Sequence, residues 1–313
     1  MTIELEDGGS LQPGYDEALR AGLAAVGADH ARVVVSGVFD TTVGRLIGHH
    51  TYAEDRGAGA VTARTLADPA ATIVVNQRAV ETQELTVDDV ERIAAHEGGH
   101  VLMNDREEGL GWHQDLATDQ VSFHLLTIAA GVIEEYRCEA ALAARRTYPA
   151  MRGRRAVDLA GNLHDANVAF LGAVSDEESA DPAVLHHRIV DGVVTPLSKT
   201  LAVTLAGTIG GADEVAGLVG DREDWRDYVE PTWARRTQFL AGLPTATEPM
   251  ARDAYRDALQ EVARIEAAFL RDVGFEYLSD DQGWGFVRVV ADERCAERLD
   301  RALRIDRLRA AGK

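Results

Sequence analysis

The spacing of apolar residues changes several times along the chain, and each change marks an element. Residues 14–28 carry apolar positions at three- and four-residue intervals and predict a helix. "ARVVVSGVF" (31–39) and "ATIVVNQ" (71–77) are short β-branched runs and predict strands. Between them, residues 40–71 are rich in Gly, Ala and Thr and show no clear period. Beyond 77 the period turns helical. Thr86 and Asp89 stand at the offset of a capping box, and Val90, Ile93, Ala94, Val101 and Leu102 recur at helical intervals, so 87–104 is expected to be a helix. "NDREEGLGWHQD" (104–115) reads as a loop. A long helix should run from about 118 to 147 and end near Pro149.

Helical spacing then covers 155–173, 183–209, 222–242 and 248–273. The exception is "FEYLSDDQGWGFVRVV" (275–290), two aromatic-rich β runs around a DDQG turn, which predicts a hairpin. Together these elements predict an α+β chain, mostly helical. A small N-terminal sheet should pack on the 87–104 helix, with a helical region after it. A soft boundary near "TYPAMRGRR" (147–155) separates two expected domains, 1–150 and 151–313.

Composition narrows the function. With 313 residues, 46% of them hydrophobic, the chain can bury a real core, which argues against disorder. A formal net charge of −20 opposes phosphate contacts and anionic surfaces, so neither nucleic acid nor membrane is an expected partner. The start, "MTIELEDGGS", has no signal-peptide core, and the apolar stretches around "LLTIAAGVI" and "LAVTLAGTIGG" read as too short to span a bilayer. A cytoplasmic location is expected. The two cysteines, Cys138 and Cys295, provide no disulfide framework, so any metal must fall to histidine and carboxylate. Arg145, Arg146, Arg152, Arg154 and Arg155 form a basic cluster that reads as a solvated face.

The chemistry concentrates in "AAHEGGHVL" (94–102). His96 and His100 project from one face of the expected helix, one turn apart, and can reach a single tetrahedral ion. Glu97 is rotated about 100° from His96 and can take a proton from an activated water. Imidazole donors suit zinc, and the adjacent carboxylate serves as general base. Gly98 and Gly99 each cost about 1 kcal/mol against alanine, so some close approach should require them.

A catalytic zinc needs a third protein ligand. Glu134, Glu135 and Glu139 are the candidates. Glu135 and Glu139 share a helix face, so one can bind metal while the other hydrogen-bonds the outer nitrogen of a liganding histidine. Glu134 has Cys138 at the matching position, a poor acceptor, which favours Glu135 over Glu134. At least one of the three is expected to lie on a solvated face. His124 lies three turns before Glu135, about 16 Å along the axis, too far to share the ion. The adjacent pairs His49/His50 and His186/His187 point to different sides and do not suggest a shared metal.

"TIVVNQ…VERIAAHEGGHVLMND" and "EYRCEAALAARRTYP" together resemble the strand, motif helix and second helix of gluzincin-type zinc peptidases, and are most similar to the ImmA/IrrE type. The resemblance covers about 70–149. It implies a zincin-like fold, zinc ligands at His96, His100 and Glu135, a general base at Glu97, and a peptide or protein substrate. It also implies that the 72–76 strand is the edge that pairs with an extended substrate. Tyr136, Tyr148, His113 and His164 are candidates for the oxyanion donor, and the loop carrying Trp112 and His113 for a lid. Two other functions remain open: a non-enzymatic interaction scaffold, and a zinc hydrolase acting on something other than a peptide bond.

Overall fold

β-Branched runs this apolar need cover on both faces. In the computed structural model, which describes residues 1–48, 61–66, 71–108, 111–145, 152–175, 181–208, 210–280 and 283–311, they find it. Strands β1 (Thr2–Glu6), β2 (Arg32–Ser36) and β4 (Thr72–Asn76) are parallel, and β3 (Ala63–Leu66) runs antiparallel to β4, in the order β1-β2-β4-β3. Val33 pairs with Ile73 and Val35 with Val75. These four residues share a core with Leu19, Leu23 and Val26 of α1 (Tyr15–Val26) and Val90, Ala94 and Val101 of α4 (Val87–Asp105). Val74 is buried instead against Phe39 and Val43 of α2 (Phe39–Ile47). The molecule is therefore α+β and mostly helical, with a small mixed sheet at the N-terminal end and a helical C-terminal region.

The strand at 72–76 is not the edge. It lies between β2 and β3, and all five of its residues are buried. The physical reason is in its composition: Ile73, Val74 and Val75 form an unbroken apolar run, without the alternation of a strand that leaves one face wet. The edge beside it is β3, from the stretch that shows no period, and β1 forms the opposite edge. Asn76 ends β4 by accepting from the Ala79 amide, 3.1 Å, at the start of α3 (Gln77–Thr82), while its side-chain amide donates to the Val61 carbonyl, 2.9 Å.

Helix α4 starts at the expected cap. The Asp89 amide donates to Thr86 Oγ1, 3.2 Å, and the Thr86 amide to Asp89 Oδ2, 2.9 Å. Its two glycines answer to close approaches. A Cβ on Gly98 would stand 2.7 Å from Val26 Cγ2 of α1, and one on Gly99 would stand 2.8 Å from Cys138 Sγ of α6 (Gln120–Arg145).

The chain divides into two compact units, each discontinuous in sequence. The first comprises Met1–Gly109, Glu134–Ala150 and Leu243–Arg252. The late segment is fastened within it by charge. Arg137, fully buried, donates to Glu108 Oε2 (2.8 Å) and to the carbonyls of Pro244 (3.1 Å) and Glu248 (2.8 Å). Arg106 donates to Glu108 and to the Ala246 carbonyl, and the Met250 amide donates to Glu108 Oε1. Burial works against the Glu108 carboxylate, but Arg106, the Met250 amide and Arg137 outweigh it and hold its pKa below the usual range.

The second unit comprises Leu110–Ile133, Met151–Gly242 and Asp253–Lys313. It contains α5 (Gly111–Leu116), α7 (Arg152–Ser175), α8 (Pro182–His186), α9 (Thr195–Ala206), α10 (Gly211–Val219), α11 (Glu230–Leu240), α12 (Arg252–Val273) and α13 (Glu293–Ala311). Strands β5 (Phe275–Asp280) and β6 (Gly283–Arg288) form the antiparallel hairpin expected at 275–290. The 104–115 stretch is not a plain loop. Trp112 packs edge-on against Tyr255, centroids 5.3 Å apart, and His113 against Phe123, 5.4 Å, which favours a helical turn at α5. Between α8 and α9 the backbone passes through a π-helical stretch, His187–Val194. The continuous run Pro182–Ala206 is longer than its apolar patches suggest, and is long and apolar enough to cross a membrane by length and composition. Leu197, Leu201 and Ala202 on it are buried inside the unit.

Candidate metal centre

Helix α4 and the part of α6 from Glu134 onward, both in the first unit, build the centre. The apolar face of α4 is sunk in the sheet core, which leaves His96 and His100 at its margin, with side chains 15% and 17% exposed. The close packing at Gly99 and Cys138 brings α6 alongside, and three glutamates arrive with it. Glu135 Oε2 lies 3.2 Å from His96 Nε2. Glu139 Oε2 lies 3.4 Å from His96 Nδ1, and Glu134 Oε2 lies 3.9 Å from His100 Nδ1. One donor atom from each of His96, His100 and Glu135 falls within 4.8 Å of the other two. The imidazole rings stand 5.2 Å apart at 68°.

None of the three glutamates lies on a solvated face, contrary to expectation. Their side chains are 12%, 22% and 2% exposed at Glu134, Glu135 and Glu139, because α6 turns this face toward α4. Glu139 is also gripped by Arg92, whose Nη2 stands 2.6 Å from both carboxylate oxygens. A chain of charge runs from Arg92 through Glu139 and His96 to Glu135.

This chain sets the protonation of the ring. Burial pushes the His96 pKa down, but the hydrogen bonds and charges of Glu135 and Glu139 overcome it and raise it to about 10. Cys138, fully buried behind Gly99, is driven the other way for a thiol. Burial first, then Glu135, Glu134 and Glu97, push its pKa well above the ordinary value and keep it neutral. That makes it a poor metal donor, in line with a site of imidazoles and carboxylates.

Glu97 is buried at 9% exposure, and the sequence contained no pointer to what holds it. Thr65 of the edge strand β3 donates from Oγ1 to Glu97 Oε2, 2.7 Å, with the Glu97 carbonyl 3.2 Å from the same hydroxyl. The bond fixes one carboxylate oxygen and leaves Oε1 for other work. Thr65 lies in the unperiodic stretch 32 residues before Glu97, so no local pattern could reveal it.

The donor set suits zinc. Two imidazoles and one carboxylate match the ligand types and count of a catalytic site, and Glu139 stands at the outer nitrogen of His96, where a supporting carboxylate orients a ligand ring. Of the oxyanion candidates, Tyr136 lies in the first unit with burial raising its pKa. His113 and His164 belong to the second unit, and Tyr148 falls outside the described residues, as do His49 and His50. Comparison of the chain with family models, curated proteins and solved structures gives no match.

Proposed function

We propose that this protein is a zinc-dependent metallopeptidase of gluzincin type, similar to the ImmA/IrrE peptidases, with His96, His100 and Glu135 as ligands and Glu97 as general base. The observation that carries the reading is the meeting of those three donors within 4.8 Å, with a buried glutamate one residue from the first of them. Zinc, when bound, supplies Lewis-acid polarisation of the scissile carbonyl and a water more acidic than bulk. Glu97 Oε1 takes the proton of the attacking water and carries it to the leaving amine nitrogen. Thr65 holds Oε2 and so keeps the carboxylate aimed through both transfers. Arg92 holds Glu139, and Glu139 keeps the His96 ring oriented. An extended peptide is the favoured substrate because β3, with Thr65 on it, ends the sheet and offers a strand edge.

Two measurements test the reading together. Purified protein should contain about one zinc per chain by elemental analysis. Glu97→Gln should keep that zinc and the fold while cleaving extended peptides about 10²–10⁴-fold more slowly. Equal cleavage by wild type and Glu97→Gln would refute the mechanism, and zinc-free protein would refute the site.

A further inference from the structure

The second unit holds a cavity of about 270 Å³ that shares no residue with the metal centre. Phe170, Val273, Phe275, Leu299 and Ala302 give it an apolar wall, and Arg288 and Val290, both exposed, stand on its lining where it meets solvent. Aromatic packing makes the wall firm: Phe170 lies 5.7 Å from Phe275 and 5.0 Å from Tyr228, centroid to centroid. One charged side chain on the wall is almost wholly buried. Arg298, 7% exposed, lies with its guanidinium carbon 5.6 Å from the centre of the Tyr228 ring.

All the hydrogen-bond partners of Arg298 are neutral. Nη1 donates to the Asp227 carbonyl, 2.8 Å; Nη2 donates to the Asp272 carbonyl and lies 3.1 Å from Cys295 Sγ. Among the described residues, no carboxylate approaches this guanidinium within ion-pair distance. The side chain of Asp227 is engaged by Arg301, 3.2 Å away. Burial and the neighbouring Asp292 push the Asp272 pKa up, while Arg294 and Arg298 pull it down. Asp272 and Asp292 act on Arg298 only across space, beyond ion-pair distance, and an anion entering the cavity would give this buried cation a direct charged partner. An apolar chamber of this size with a buried charge on its wall and a second, exposed one at Arg288 has the make-up of a small-molecule site.

We infer that the cavity binds a small organic acid, with its carboxylate on Arg298 and a compact apolar body against Phe170, Phe275 and Leu299. A neutral molecule of the same shape would bury the same surface and give Arg298 no direct charged partner. An organic cation would be repelled.

Calorimetric titration of the full-length chain with sodium octanoate tests this. The titration is run in EDTA, so no carboxylate–metal contact contributes and the outcome does not depend on the peptidase reading. Octanoate should bind at one site per chain, and octan-1-ol about tenfold more weakly or worse, as expected for a lost charge-assisted bond. Arg298→Gln should weaken octanoate to the level of the alcohol. Should that variant fail to fold, Ala302→Leu narrows the chamber without touching the charge, and it should weaken both ligands while the circular dichroism spectrum stays unchanged. No octanoate binding, equal binding of octanol, or undiminished octanoate binding by Ala302→Leu would overturn the assignment.

Discussion

Two pairs of histidines, one in each unit, sit at similar ring separations: 5.2 Å for His96 and His100, and 4.4 Å for His124 and His186. Their surroundings are opposite. The first pair faces Glu134, Glu135 and Glu139, and the His96 pKa rises to about 10. The second is wrapped in aromatic rings. Tyr277 stacks on His124 at 5.8 Å, Trp284 lies about 5 Å from both histidines, and His186 Nε2 meets the Tyr277 hydroxyl at 2.8 Å. Burial lowers the His124 pKa and takes that of His186 to about 4, with only half-exposed Asp191 pulling the other way. Proximity of two imidazoles is therefore no mark of a metal centre. The supply of buried carboxylates separates a donor set from a packing cluster.

The comparison breaks most sharply on zinc content. His96→Ala should take the chain from about one zinc to none, while His124→Ala leaves the zinc unchanged, both read by elemental analysis. Loss of zinc from His124→Ala would erase the distinction. Next in size, Glu135→Ala should weaken zinc far more than Glu134→Ala, since Glu135 reaches the His96 ring nitrogen at 3.2 Å and Glu134 stands 3.9 Å behind His100. A zinc titration ranking the two variants the other way would exchange their roles. Glu139→Gln should be milder, about a 10–100-fold loss of zinc affinity, because it removes a support rather than a ligand.

The smallest effect lies in the pH dependence of stability, and it has opposite signs in the two pairs. His186 has a folded pKa below the ordinary 6.5, so its contribution is whole above pH 6.5 and is lost as pH falls toward about 4. In zinc-free protein the folded pKa of His96 is raised, so its contribution is whole below pH 6.5 and is lost as pH rises through about 10. Thermal unfolding in EDTA should show wild type gaining on His186→Phe from pH 4 to 6.5. From pH 6.5 to 10 it should lose ground against His96→Gln. Parallel pH curves for either pair of proteins would mean that the ring in question does not titrate as its neighbours dictate.

What was legible in the sequence was local. The capping box, the apolar period and the two histidines of α4 lie within one 19-residue helix, and each could be read from its neighbours. The Glu135/Glu139 pairing was readable because both sit on one helix face. Arg92, which holds Glu139 from 47 residues away, and Thr65, which holds Glu97 from 32, were not, because their partners are set by tertiary packing. The interior place of β4 was written in its unbroken apolar run and was misjudged through the resemblance, whereas β3, "ARTL", has no pattern that distinguishes an edge strand from a loop. The glycines announced a close approach without saying to what, and the answer, α1 and Cys138, again required the fold.

The clasp of Arg137, Arg106 and Glu108 on Leu243–Arg252 has a consequence for synthesis. The hydrogen bonds that close it join residues 107 to 142 positions apart. A ribosome adding about 5–20 residues per second delivers the second half of the clasp roughly 5–30 seconds after the first. During that interval a nascent chain can already assemble the sheet, α4 and Glu135. It still lacks the carbonyls that satisfy the buried Arg137, so the unit bearing the histidines matures only once much of the intervening helical chain has emerged.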